Sequence, residues 1–265
     1  MRIRAVFLDM DGTLLNTEDA ISHKMRQVIE ELKRAGIYVF LATGRHLDIT
    51  LPHHRSLGLK TPMICLNGAA VYDWFSLDPL QMKYMHSPWE LHEAVVRSGA
   101  RNIMVHAEEG LYCLEQDEIV QAWVNEGGKY PVYTGPLHTV KPEKILKYSV
   151  RSTDFITLPK KLYSRTAELI RWQDGFELVR KEISKWSAME YLLYQYGISK
   201  QEAIAFGDGP NDIDMLRRAG TGVAMGNAIP ELKKAADFVT GTNAEDGAAD
   251  FLMRHVLQAG TVEAQ

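Results

Sequence analysis

Cysteine is scarce: Cys65 and Cys113 are the only two in 265 residues, and no C-x-x-C occurs. That argues against a disulfide framework and makes a reducing cytoplasm the natural setting. Long apolar runs are missing too. No stretch approaches the roughly 20 residues that span a bilayer. The N-terminal MRIRAVFLDMDG has a short apolar run but no small-residue cleavage site of a secretory signal. A cytoplasmic protein with no membrane partner is the reading. Positive charge is not in excess either. Lysine plus arginine number 30 against 34 aspartate plus glutamate, a net charge of -4. That gives no electrostatic case for nucleic acid, although a small anionic substrate stays open because local charge can oppose net charge. Internal repeats and low-complexity segments are absent. His53 and His54 are adjacent, so they cannot share a helix face as a metal-binding H-x-x-x-H pair would. They read as polar surface.

What is present is a globular composition, 46% hydrophobic and 24% charged, enough for one large or two modest domains. The first third alternates strand and helix. Residues 3–9 and IYVFLAT (37–43) read as continuously apolar strands, and PMICLNG (62–68) as a third. Between the first two, Ser22 opens a helix with Val28, Ile29 and Leu32 on one face, ended at Ala35-Gly36. LPHHRSLGL (51–59) reads as helical, ending near Gly58. The last third returns to this style. Ser187 and Glu190 form a candidate capping box before AMEYLLYQYG. AIAFGDG (203–209), GVAMGN and FVTG read as strands, with DIDMLRRAG, IPELKKAAD and AEDGAADFLMRHVL as helices, and GTVEAQ as a frayed tail. The middle differs. RNIMVHAEEGLYCLE, KYPVYTG and EKILKYSVR read as hairpin or strand pieces, and PWELHEAVVRSG, EIVQAWVNEGG and LYSRTAELIRW as helices. The fold class is therefore α/β, a doubly wound and mainly parallel sheet with an inserted α+β module. The boundaries read as 1–85 and 183–265 for the two parts of the core and 86–182 for the insert.

Polar residues terminate several of these strands, and ligands of open α/β sheets bind beyond the carboxyl ends of the strands. Asp9 and Asp11 flank Met10. Residues two apart on an extended segment point the same way, so both carboxylates can face one crevice, and Gly12 then lets the chain bend. Adjacent carboxylates repel, which a hard cation relieves; Mg²⁺ prefers carboxylate, carbonyl and water oxygens. Asp208 and Asp212 in GDGPNDIDM add oxygens from a second strand end. Thr43 and Gly44 offer a hydroxyl and a backbone N–H for an anion, with Arg45 beside them as either a partner or a solvated charge. Asn211 can donate an amide N–H to a phosphate oxygen. Lys185 stands where the chain re-enters the core, just before the helix.

Together DMDGT (9–13), TGR (43–45), Lys185 and GDGPND (207–212) resemble the four motifs of the haloacid dehalogenase superfamily. NGA (67–69) and GVAMGNAIPELKKAADFVTGTNAEDGAA resemble its Cof-type phosphatases with a C2B cap. The resemblance implies a Mg²⁺-dependent phosphatase acting on a small phosphorylated metabolite. In it Asp9 is the nucleophile and forms an aspartyl-phosphate, and Asp11 shuttles the proton. Mg²⁺ is held by Asp9, the carbonyl of Asp11 and Asp208, with Asp212 assisting. Thr43, the N–H groups of Met10 and Gly44, Lys185 and Asn211 hold the phosphoryl oxygens. The carboxylate at Asp11 favours phosphate esters over organohalides, because an alkoxide leaving group needs a proton and a halide does not. A phosphotransferase such as a phosphomutase shares these residues and is the alternative; a non-catalytic phosphate-binding protein would have lost one of the carboxylates. One departure stands out: Trp186 follows the motif lysine where the family usually has glycine.

Overall fold

The computed structural model describes residues 3–258; the GTVEAQ tail lies outside the described residues. The chain begins with β1 (Ala5–Leu8), α1 (His23–Arg34), β2 (Tyr38–Leu41), α2 (Leu47–Ser56), β3 (Met63–Cys65), β4 (Ala70–Tyr72) and β5 (Pro79–Met82). The middle holds α3 (Trp89–Val96), β6 (Asn102–Ala107), β7 (Gly110–Cys113), α4 (Glu118–Gly127), β8 (Tyr133–Thr134), β9 (Ile145–Arg151), β10 (Ala167–Trp172) and β11 (Gly175–Arg180). It closes with α5 (Lys185–Gln195), β12 (Ala203–Gly207), α6 (Ile213–Arg218), β13 (Thr221–Ala224), α7 (Pro230–Ala235), β14 (Phe238–Val239) and α8 (Gly247–Leu252). These elements divide into two compact units, one drawn from Met1–Leu80 and Ser184–Gln265, the other Gln81–Ile183.

The first unit is built on a parallel five-stranded sheet in the order β14-β13-β12-β1-β2. β1 and β12 are buried throughout, which is why they read as unbroken apolar runs. Phe7 and Phe40 stack at 4.5 Å between neighbouring strands. Ser22 caps α1 by accepting from the Met25 N–H, and the helix buries Met25, Val28, Ile29 and Leu32. Gly36 follows at φ 75, the left-handed geometry that suits glycine. β3 leaves this sheet except for one parallel bridge, Ala42 to Ile64, and forms a small sheet with β4 and β5. The strand pairs are short, and β4 and β5 carry no sequence signal of their own. α2 begins at Leu47, earlier than residues 51–59 suggest, because His46 caps it. It places His54 inside, with Nε2 2.8 Å from the Thr61 carbonyl; the polar-surface reading of His54 is corrected, and burial lowers its pKa.

The second unit is a six-stranded sheet, β10-β11-β9-β6-β7-β8, antiparallel except where β7 meets β8. Leu91, Val95, Val105, Tyr148, Phe176 and Leu178 make its core. Residues 162–172, expected as a helix, instead supply strand β10. It turns through Gln173-Asp174 into β11, with Trp172 opposite Gly175. Gly175 sits at φ 149, and a Cβ there would lie 1.9 Å from the Val150 carbonyl. Gln173 and Asp174 make the turn and Gly175 opens β11 where the hairpin crowds β9, and Arg171 lies over the Phe176 ring at 5.1 Å on the core side. Among the described residues no helix is long and apolar enough to cross a membrane.

Candidate active site

β1 and β12 lie side by side, Leu8 opposite Phe206, so the residues just beyond them meet. The Asp9 N–H extends the ladder by one bond, 3.1 Å to the Phe206 carbonyl. Asp9 and Asp11 keep extended backbone, and Gly12 then turns at φ 68. A Cβ on Gly12 would lie 2.2 Å from Asp208 Oδ2, so only glycine lets this loop approach the second acidic cluster. Met10 sends its side chain into the core, fully buried. Asp9 is buried as well, whereas the Asp11 side chain is 57% exposed. On the β12 side, Asp212 is buried and its Oδ2 accepts N–H bonds from Asp208 and Gly209, each 3.0 Å.

Lys185 joins the two clusters. Its ammonium donates to Asp9 Oδ1 at 2.5 Å and to Asp212 Oδ1 at 2.6 Å, and it is wholly buried. The helix that carries it starts one turn earlier than the sequence suggested. Ser184, not Ser187, is the cap of α5, and Ser187 is its reciprocal partner. Lys185 therefore opens the first helical turn. The Ser184 hydroxyl also donates to Asp214 at 2.8 Å, and its carbonyl presses so close to Gly68 that a Cβ there would lie 2.3 Å away. Three elements thus fix the root of the lysine.

Trp186 turns into the hydrophobic core and leaves Lys185 free to reach both carboxylates. Its Nε1 is buried with no hydrogen-bond partner, a costly arrangement. Trp186→Phe is therefore expected to leave stability within about 1 kcal/mol of the parent. Trp186→Gly, the family's usual residue, should lose about 3–5 kcal/mol to the cavity. Urea denaturation followed by circular dichroism checks both; a Phe variant as damaged as the Gly variant would contradict this account.

The loop after β2 supplies the third wall. Thr43 is buried, and its hydroxyl oxygen accepts from the Arg45 N–H at 3.1 Å. A Cβ on Gly44 would lie 2.9 Å from Asn67 Oδ1 and 3.7 Å from Asn211 Nδ2. Asn211 donates to that same Asn67 oxygen at 2.9 Å, and Asn67 itself holds φ 58. Thr43, Gly44, Asn67 and Asn211 are thereby gathered. Two further residues join them: Arg45, which the sequence leaves between a partner and a solvated charge, and Asn227, to which it assigns no role. Arg45 grips Asp11 through Nε and Nη2, the shortest contact being 2.7 Å. Asn227 donates to the Gly12 carbonyl at 2.8 Å and reaches Asp208 Oδ2 at 3.4 Å. The tripeptide TGR hinted at Arg45; nothing local hinted at Asn227.

Oxygen atoms of Asp9, Asp208 and Asp212 lie within 4.8 Å of one another. The Asp11 carboxylate is not part of that group, so any part it takes falls to its backbone carbonyl. Burial, then repulsion from Asp212, holds the Asp9 carboxyl well above its usual pKa despite Lys185. The same two causes push Asp208 up to about 7. Burial opposes the charge on Lys185, but Asp212 and Asp9 outweigh it and keep the ammonium protonated. The centre thus carries more negative charge than its one buried cation can offset, and its donors are all hard oxygens. Such a set fits a hard divalent cation.

A parallel α/β core with carboxylates and a lysine gathered beyond two adjacent strands defines an α/β enzyme with a cation-ready acidic centre. The sequence matches the haloacid dehalogenase-like hydrolases over residues 6–252. It is 30% identical over 264 residues to the 5-amino-6-(5-phospho-D-ribitylamino)uracil phosphatase YitU of Bacillus subtilis (strain 168), covering 94% of this chain and 96% of that one. It is 28% identical to the pyridoxal phosphate phosphatase YbhA of Escherichia coli (strain K12), covering 97% of this chain and 100% of the other. Among solved structures, a subclass IIB sugar phosphatase of the same superfamily superposes with a TM-score of 0.77 at 25% identity, over 94% of this chain and 98% of that one. The chain belongs to the haloacid dehalogenase-like hydrolases, and it is a phosphatase of their Cof type.

Proposed function

We propose that the chain hydrolyses the phosphomonoester of a small metabolite, with Mg²⁺, by way of a phosphate carried transiently on Asp9. The observation that carries this reading is the arrangement around Lys185. One buried ammonium binds the Asp9 and Asp212 carboxylates together, while Asp11 stands two residues on, open to solvent. Asp9 has the place of a nucleophile: a carboxylate at a rigid strand end, attacking phosphorus as the ester oxygen leaves. Asp11 delivers a proton to that leaving oxygen and then takes one from the water that frees Asp9. Lys185, Thr43, Asn211 and the N–H groups of Met10 and Gly44 hold the phosphoryl oxygens as charge shifts among them. Asp9, the Asp11 carbonyl and Asp208 would hold Mg²⁺, with Asp212 assisting, and the ion would offset the negative charge of carboxylates and phosphate.

The named substrates of the relatives, a ribitylaminouracil phosphate and pyridoxal phosphate, differ in everything but a phosphate ester on a small metabolite. That supports the substrate class and leaves the choice within it to the inserted unit. Two free, buried cysteines accord with a reducing cytoplasm. The test is release of inorganic phosphate from a panel of phosphomonoesters with no acceptor present. Release with Mg²⁺, and its loss in EDTA, is the expected result. Turnover only when a sugar acceptor is added would replace hydrolysis by phosphotransfer. No turnover on any ester would favour a binding protein.

A further inference from the structure

The geometry points to Arg45 as the positioning residue for Asp11, a role that rests on the reading of Asp11 as proton carrier. An aspartate side chain 57% exposed ordinarily samples several χ1 wells. Here the Arg45 guanidinium meets it edge-on. Nε lies 3.2 Å from Oδ1 and 3.0 Å from Oδ2, and Nη2 lies 2.7 Å from Oδ1. A planar fork on two carboxylate oxygens fixes direction as well as distance. The arm that holds it is itself held. Arg45 has its N–H on the Thr43 hydroxyl at 3.1 Å and its carbonyl on the Leu66 N–H at 3.0 Å. Its side chain is only 13% exposed. The arginine is therefore anchored between the ends of β2 and β3 and reaches across to the loop after β1. It touches no reacting atom in this scheme. Its work is to keep one carboxylate of the pair aimed toward the side where the leaving oxygen departs, while Asp9 is aimed by Lys185.

A positioning role for a proton carrier has a signature that a merely structural role lacks. The leaving oxygen of an alkyl phosphate needs a proton; that of a nitrophenyl phosphate barely does. Arg45→Ala is expected to lower kcat/KM, which reads only the steps through departure of the leaving oxygen and not the later hydrolysis on Asp9, on an alkyl phosphate by about 10- to 100-fold, a part of what a positioned general acid contributes. On p-nitrophenyl phosphate the loss should stay within about threefold. Arg45→Lys, which keeps the charge without the fork, should retain the same selectivity of loss in weaker form. Guanidinium added to the Ala variant should recover alkyl turnover first. Asp11→Asn is the reference. If it does not discriminate between the two esters, the reading of Asp11 fails and this inference falls with it. If Asp11→Asn discriminates and Arg45→Ala, or Arg45→Lys should the alanine variant not fold, loses both esters equally or neither, the role of Arg45 is overturned alone.

Discussion

Asp9→Asn is expected to lower phosphate release by about four orders of magnitude or more while leaving the metal-free fold as stable as the parent. The amide keeps the shape of the carboxylate and removes the nucleophile, so the first step has no attacking oxygen. Stability behaves differently because Asp9 is a burden to the metal-free fold. Its carboxyl is buried and its pKa is raised by that burial and by Asp212. The substitution relieves repulsion among Asp9, Asp208 and Asp212. It gives up one of the two carboxylates on Lys185, and the bond to Asp212 at 2.6 Å remains. Removing one partner of a buried pair is costly when it strands the other charge, but here Lys185 keeps Asp212 and a carboxylate repelled by Asp212 and Asp208 is neutralised, a kind of cost that active sites commonly hold. Phosphate release and a thermal midpoint in EDTA measure the two halves. Parent turnover in the variant would remove Asp9 from the mechanism; a midpoint lower by more than about 10 °C would show that the ion pair outweighs the repulsion.

What could be read from the sequence divides along physical lines. β1 and β12 were legible because strands buried on both faces are apolar throughout, and α1 because its cap and its buried face agree. The sequence alone puts the start of α5 one turn late because Ser184 and Ser187 both suit a cap; only the approach of Asp214 and Gly68 decides between them. β10 resembled a helix because its six residues pack through a cross-strand partner, β11, and not through a face of their own. The D-G dipeptide, with Asp174 in the turn and Gly175 opening β11, argues against a helix running through it. In the centre, the aspartates announced themselves as charges at the ends of apolar strands. Asn67 and Asn227 did not. Asn67 meets Asn211 across 144 residues and Asn227 meets Gly12 across 215, and no local pattern encodes a partner that distant. Arg45 is visible in TGR and Asp11 in DMDGT, but their pairing across two strand ends is not.

Lys185→Met is expected to damage the metal-free protein most at high pH, and Mg²⁺ is expected to repair much of that damage. Lys185 is fully buried and is the cation that contacts both Asp9 and Asp212. Removing one partner of a buried ion pair costs about 3–5 kcal/mol, a fall of about 10 °C in the midpoint of the core unit. The pH dependence follows from the direction of the shifts. Asp208 stands at about 7 in the fold against an ordinary 3.8, and Asp9 is raised as well. A carboxyl with a raised folded pKa stabilises in its protonated form. That contribution is full below about pH 4 and is lost as the pH rises through 7. The variant keeps the carboxylates and loses the lysine that draws their pKa values down, so its loss extends to still higher pH. The gap between variant and parent midpoints in EDTA should be widest near pH 8 and narrow toward pH 5.5. Millimolar Mg²⁺ at pH 8 should narrow it too, because the variant's ionised carboxylates, with no ammonium beside them, bind the ion more tightly than the parent's and so gain more from it. Equal midpoints at pH 8 in EDTA would mean that Lys185 does not hold the acidic centre together.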